Sequence, residues 1–463
     1  MKQREGGAVK GRWMDGIRGF LPVAGLALAA ASCSVVGAPS PRAPSGSGAG
    51  PVPERVGGAV AVPGTHLPGA AALNPLRPFR EVRGLWVVRS TMTSPGEVRE
   101  MVRRAREAGF NTLIVQVRGR GDAFYRSRWE PRGETVQGPP EFDPLALAVE
   151  EAHARGMAVH AWVNTHLVWG VGEAPRSPEH LLRAHPDWLA VPRELATRLF
   201  DVDPFEPRFV EALRGYAQAN PNRVEGIYSS PSHPAVKERV YSVWMDLVNR
   251  YDLDGIHFDY VRFPSPRFDY SRGALERFRL WVAPRLSPRR RKELEAAYRS
   301  DPLAFVEALA GPWDEFRRRQ ITELVERIYY GVKARRPRLI VSAAVFANDE
   351  DAYLNRFQNW PAWLARGILD VAVPMAYTTE DDVFRRQIRT ARGAAGIRER
   401  VWAGIGAYRN GVEGTLSKIR IAREEGAGGV VLFSYDWAVE EGSPDGERPF
   451  LERIGAAAFE NGG

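Results

Sequence analysis

The chain has 463 residues, 44% hydrophobic and 10% aromatic, which is enough for a large core in one big domain or two to three average ones. Its formal charge is +8, its pI about 9.6, and its 64 basic residues are nearly all Arg, with Lys only at Lys2, Lys10, Lys237, Lys292, Lys333 and Lys418. No basic block interleaved with aromatics occurs. The run Arg289–Lys292 reads as a solvated helix face, so no nucleic-acid partner is expected. A basic surface suits an anionic polymer only weakly. The single cysteine, Cys33, excludes an intramolecular disulfide framework.

The first 19 residues carry Lys2, Arg4, Lys10, Arg12 and Arg18. Residues 20–32 are apolar and small, and fall short of the ~20 residues a spanning helix needs. A charged start, a short apolar run and small residues make a signal peptide over 1–32. Ala30-Ala31-Ser32-Cys33 resembles a bacterial lipobox, in which the cysteine is lipidated and becomes the mature N-terminus. Ordinary cleavage nearby, with Cys33 incidental, is the alternative. Either route implies export. The segment 33–76 is rich in Pro, Gly, Ala and Ser and reads as a flexible tether. A membrane contact is expected through the lipid anchor only.

Residues 77–463 alternate apolar strands with amphipathic helices. Strands are predicted at 82–88, 112–118, 157–163, 255–261, 338–345, 370–377, 401–407 and 428–435. Helices are predicted at 95–109, 144–155, 234–251, 313–335, 383–394, 414–425 and 448–459. Ser94-Pro95 opens the first helix, and Gly109, Gly156 and Gly426 mark helix ends. Eight strands, nearly all apolar on both faces, predict an α/β (β/α)8 TIM barrel. A doubly wound open sheet is the alternative, but Gly119-Arg120-Gly121 lacks the third glycine of a phosphate loop and opens no helix. Long insertions at 165–233 and 262–312 follow strands three and four, on the face where barrels build substrate sites.

Asp254-Gly255-Ile256-His257-Phe258-Asp259-Tyr260-Val261-Arg262-Phe263-Pro264 is an apolar strand that keeps ionisable groups. An unpaired buried carboxylate costs several kcal/mol, so a strand that carries one usually needs it. The two-residue period puts Gly255, His257 and Asp259 on one face and Ile256, Phe258 and Tyr260 on the other. Other strand exits offer Gln116, Arg118 and Asp122; His160, Trp162, Asn164 and His166; Asn348, Asp349, Glu350 and Asp351; Tyr377 and Glu380; Tyr408; and Asp436. Carboxylates among Arg, Asn, Tyr and Trp suit a sugar, since aromatic faces stack on pyranose rings and two carboxylates cleave the acetal.

Asp259 is therefore the first catalytic candidate, as nucleophile or as the carboxylate that stabilises an oxocarbenium-like transition state. Its partner acid is expected among Asp349, Glu350 and Asp351, with Glu380 in reserve. Arg118, Asp122, Trp162, Asn164, His257, Arg262, Tyr377 and Tyr408 are expected to bind or position the sugar. Blander roles stand beside these. His160 reads as a packed interior residue, and His257 as either an orienting group or a core hydrogen bond. Arg118 also suits a neutralising ion pair, Asp381 and Asp382 suit a first helical turn, and Trp188 is either a platform or a plug. No metal spacing occurs, and no cofactor is expected.

At these residues the chain resembles the bacterial glycosyl hydrolase-like family 10, long catalogued as a domain of unknown function. The matching pieces run in family order, beginning with Glu81-Val82-Arg83-Gly84-Leu85-Trp86-Val87. Next come Asn111-Thr112-Leu113-Ile114-Val115-Gln116-Val117-Arg118 with Gly121-Asp122-Ala123, then His160-Ala161-Trp162-Val163-Asn164 and His185-Pro186-Asp187-Trp188-Leu189. Tyr251 to Tyr260 and Val373-Pro374-Met375-Ala376-Tyr377 complete the set. Tyr228-Ser229-Ser230-Pro231 stands where the family tends to have Leu-Asp-Pro. The resemblance implies a barrel and a glycan hydrolase, in a family that includes exported lipoproteins acting on peptidoglycan glycan strands. A glycan-binding lipoprotein on an inactive barrel is the main rival reading. A deacetylase is a second.

Overall fold

The computed structural model describes residues 81–440 and 449–459. The expected signal peptide, Cys33 and the whole tether lie outside them. Ten strands occur among the described residues: β1 (Val82–Val87), β2 (Thr112–Arg118), β3 (Ala158–Asn164), β4 (Leu167–Trp169), β5 (Ile227–Tyr228), β6 (Gly255–Asp259), β7 (Ile340–Phe346), β8 (Val371–Met375), β9 (Trp402–Gly406) and β10 (Gly429–Phe433). Eight of them close a parallel barrel in the order β1-β10-β9-β8-β7-β6-β3-β2. The eight expected strands are these eight, and β4 and β5 form a separate antiparallel pair.

Helices follow the strands as the 3.6-residue pattern requires. Ser94 caps Pro95–Glu107 by accepting the Glu97 N–H, and Asp143 caps Pro144–His153 by accepting the Ala146 N–H. Gly109 (φ +77°) then turns the chain out of the first helix. Boundaries differ from expectation where turn chemistry overrides periodicity. The strand expected to reach residue 261 stops at Asp259, because Tyr260 takes φ +48°. The helix expected from residue 414 begins at Ala407 and is broken by non-helical backbone at Gly411.

Side chains sort into two layers of core. Ile256 and Phe258 face the surrounding helices, with Phe258 edge-on to Trp244 at 5.0 Å. Trp86, Ile114, Trp162, Ala344, Val373, Trp402 and Val431 fill the barrel itself. This is the face assignment that the strand period requires of β6. At its base Gly255 lies against the His160 ring, where an added Cβ would stand 2.3 Å from the imidazole.

Both insertions are present. The first carries β4 and β5 with helices Leu181–Ala184, Arg193–Leu199 and Pro207–Ala219. The second carries helices Arg272–Val282, Pro288–Tyr298 and Ala304–Ala308, which with Trp313 and Phe316 build a small core of their own. Arg289–Lys292 lies exposed on the middle helix.

Candidate active site

The site forms where β6 ends. Asp259 Oδ1 accepts the Tyr260 N–H at 2.7 Å and lies 3.4 Å from Arg262 Nη1. Both bonds fall on one oxygen, so Oδ2 has no protein donor among the described residues. Asp259 is only 7% exposed. Burial, the largest influence, raises its pKa above the ordinary carboxylate value, while Arg262 and the Tyr260 N–H pull it back. A carboxyl group in that balance suits holding and giving a proton.

Arg262 is buried, with its guanidinium over the Tyr260 ring at 4.1 Å and the Phe346 ring at 5.0 Å. Its second terminal nitrogen lies 3.5 Å from Glu225 Oε1. Glu225 Oε2 accepts the Tyr228 hydroxyl at 2.6 Å. Burial raises the Tyr228 pKa well above its ordinary value, so that hydroxyl stays a donor. Expected to bind sugar, Arg262 instead holds carboxylates in place.

Across the mouth stands an aromatic wall. Tyr377 meets Tyr408 edge-on at 6.1 Å and Phe433 at 5.7 Å, and Trp86 meets Tyr377 at 6.3 Å from below. Tyr377 and Tyr408 are both partly open to solvent. At the exit of β2, Asp122 accepts the Arg120 N–H at 2.8 Å and lies 3.9 Å from Arg89 Nε. Burial lowers the Arg89 pKa to about 10.

Four residues expected at the sugar are buried and bonded to protein groups. Arg118 is 1% exposed; it pairs with the buried Glu130 at 3.0 Å and donates to the Asn164 and Thr165 carbonyls. Asn164 accepts from Trp162 Nε1 at 2.9 Å and donates to the Gly119 carbonyl at 2.9 Å. With their donors and acceptors engaged, Arg118, Asn164 and Trp162 brace the β3 exit rather than reach into the mouth. His257 is fully buried. Trp86 Nε1–H donates to His257 Nε2 at 3.1 Å, which places the ring proton on Nδ1, facing Ser342 Oγ at 2.9 Å. Ser342 in turn donates to the Ile256 carbonyl at 3.1 Å. Burial drives the His257 pKa well down, and no bond joins it to Asp259. The core-hydrogen-bond reading of His257 therefore holds. His160, with its pKa lowered by burial to about 4, is packed against Trp402.

None of the expected partner carboxylates bonds to Asp259. Asp349, Glu350 and Asp351 form the first turn of helix Asp349–Asn355 under the Asn348 cap, and Asp351 pairs with Arg356 at 3.5 Å. Glu380 is an exposed cap residue of helix Asp381–Ala395, whose first turn contains Asp381 and Asp382. Among the described residues none of these carboxylates bonds to Asp259 or Arg262. Trp188 is a plug: it is 9% exposed and stacks on His185 at 3.9 Å.

Glu225 is the carboxylate that strand periodicity misses. It arrives from the first insertion, outside the alternating pattern. The available signal was Gly226, where a Cβ would stand 2.0 Å from the Trp169 carbonyl oxygen. That close approach presses β5 onto β4 and carries Glu225 to Arg262. A cavity of about 480 Å³ between helices Arg193–Leu199 and Pro207–Ala219 is lined by none of the expected site residues.

A closed parallel barrel with a buried carboxyl at the exit of one strand and aromatic rings across its mouth is an arrangement that glycoside hydrolases use. The chain belongs to the family Glycosyl hydrolase-like 10, whose model matches residues 81–396. It is 23% identical over 331 residues to glycosyl hydrolase YngK of Bacillus subtilis, covering 64% of this chain and 54% of that protein. It is 24% identical over 336 residues to glycosyl hydrolase DigH of Escherichia coli K12, covering 65% of this chain and 63% of that protein. The match thus spans less than two thirds of either relative. Among solved structures, the glycoside hydrolase domain of PgaB (BpsB) from Bordetella bronchiseptica superposes with a TM-score of 0.55 at 16% identity, over 82% of this chain and 99% of that one. A β-galactosidase from the psychrophilic Marinomonas ef1 superposes at 0.52 with 13% identity, over 81% and 58%. These two likenesses concern the fold.

Proposed function

We propose that this protein is an exported glycoside hydrolase that cleaves a bacterial cell-envelope polysaccharide, with peptidoglycan glycan strands the first choice of substrate. The single observation that carries the reading is Asp259, a buried carboxyl at a barrel-strand exit with its pKa raised by burial and one oxygen free of protein donors among the described residues. In this reading Asp259 gives a proton to the glycosidic oxygen while the aromatic wall of Tyr377 and Tyr408 holds the sugar ring. That is the proton-donor role, rather than the nucleophile or oxocarbenium-stabilising role first expected. The charged, then apolar start and the lipobox-like Ala30-Ala31-Ser32-Cys33 support export and a lipid anchor at Cys33, with the segment 33–76 as the tether between membrane and domain.

The test is incubation of the protein with purified peptidoglycan glycans, with and without stem peptides, followed by mass analysis. Shortened chains with new reducing ends are expected from wild type, and Asp259→Asn should lose them while still binding glycan. Glycan binding without cleavage in either protein would establish a binding lipoprotein instead. Acetate release without chain shortening would establish a deacetylase.

A further inference from the structure

Cleavage of an acetal by Asp259 needs a second carboxylate facing the same bond. We propose that Glu225, delivered by the first insertion, is that group; the assignment rests on the glycosidase reading above. Two contacts carry it. Arg262 Nη1 stands 3.4 Å from Asp259 Oδ1, and Arg262 Nη2 stands 3.5 Å from Glu225 Oε1. One planar guanidinium between two such contacts keeps the carboxylates no further apart than the ~9.5 Å upper limit of glycosidase pairs. Both side chains remain partly exposed, Glu225 by 15% and Asp259 by 10%. Of the other acids near strand exits, Asp351 pairs with Arg356, Asp381 pairs with Lys418, and Asp122 accepts from the Arg120 backbone.

The surroundings divide the labour. Both oxygens of Glu225 face donors, Arg262 on one and the Tyr228 hydroxyl on the other. Asp259 keeps one oxygen free of donors. Engaged oxygens are poorly placed to attack carbon directly, and suit taking a proton from water. In the step, Asp259 Oδ2–H protonates the glycosidic oxygen as its bond to the anomeric carbon breaks. A water oxygen bonds to that carbon and its proton passes to Glu225. Solvent then returns a proton to Asp259 and removes one from Glu225. The product has inverted anomeric configuration.

Glu225→Gln keeps the shape and the Tyr228 bond but removes the base. On glycan that wild type cleaves, it should lose about 10²–10⁴-fold in kcat with thermal unfolding close to wild type. Azide should restore turnover and give a glycosyl azide, and the acidic limb of the pH–rate profile should disappear. Glu225→Ala should behave alike and respond more strongly to azide. Retention of most wild-type kcat by Glu225→Gln would overturn the assignment, as would a loss that azide does not relieve and that Arg262→Lys reproduces. The second result would make Glu225 a positioning residue. Failure of wild type to cleave any envelope glycan would instead remove the glycosidase reading, and this inference with it.

Discussion

Arg262 reaches back over Asp259, with Nη1 at 3.4 Å from Oδ1, although the two lie three positions apart in the chain. An extended strand would carry them some 10 Å apart. The positive φ of Tyr260 turns the chain and folds the guanidinium onto the carboxyl. A buried pair of this kind costs about 3–5 kcal/mol when one partner is removed. Arg262→Met should lose about that much stability in urea titrations. Arg262 also lowers the Asp259 pKa, so its removal raises that pKa further. The alkaline limb of any residual pH–rate profile should move upward, and an unmoved limb would uncouple the two residues.

Arg118 and Glu130 form a second buried pair, with side chains 2% and 0% exposed. Arg118→Met alone should cost about 3–5 kcal/mol, because Glu130 is left charged in the interior. Adding Glu130→Met should recover part of the loss. A double-mutant cycle in urea measures the coupling. A double variant less stable than the sum of the singles would contradict this account.

Gly255 has no room for a side chain. Its Cβ would meet the His160 ring at 2.3 Å, so Gly255→Ala should cost at least the ~1–3 kcal/mol typical of overpacking. His160→Ala in the same molecule should relieve the clash. Equal unfolding midpoints for wild type and Gly255→Ala would show that the imidazole moves freely.

Three buried histidines set an acid limit. Burial lowers His160 to about 4, His166 to about 3 and His257 well below 6.5. The unfolded chain binds protons at these sites from pH 6.5 downward, and the folded chain does not. Their stabilising contribution is therefore complete above 6.5 and shrinks as pH falls toward 3. Asp436, raised by burial to about 6, and Asp259, also raised by burial, act in the opposite sense, but they are two groups against three. Chemical denaturation midpoints should fall between pH 6.5 and 4, at up to ~1.4 kcal/mol per unit for each histidine. A flat profile there would mean that the rings are protonated in the folded state.

The barrel was legible because parallel strands covered by helices leave continuous apolar runs, and a two-residue period fixes which face turns inward. Asp259 stood out on that ground. Arg118 and Asn164 did not declare themselves, since an arginine that holds a sugar and one that braces a loop are the same letter at the same strand exit. Glu130, twelve residues away across a turn, decides between them, and no periodicity links the two. Glu225 was hidden for a related reason: its place comes from the docking of an insertion, through the tight contact at Gly226, and not from any strand's own pattern. The chain also ends β6 earlier than expected, because a single left-handed residue outweighs the strand preference of its neighbours.

Closure of the barrel pairs Val82 with Gly429 and Trp86 with Phe433. The first and last strands must therefore meet across almost the whole length of the domain, a contact of very high sequence separation and correspondingly slow to form. A ribosome making this protein has to finish nearly all of it before the ring can shut. Until then β1 and β10 each present an unpaired edge, so a chain cut short before residue 429 would be an open sheet prone to aggregation rather than a smaller enzyme.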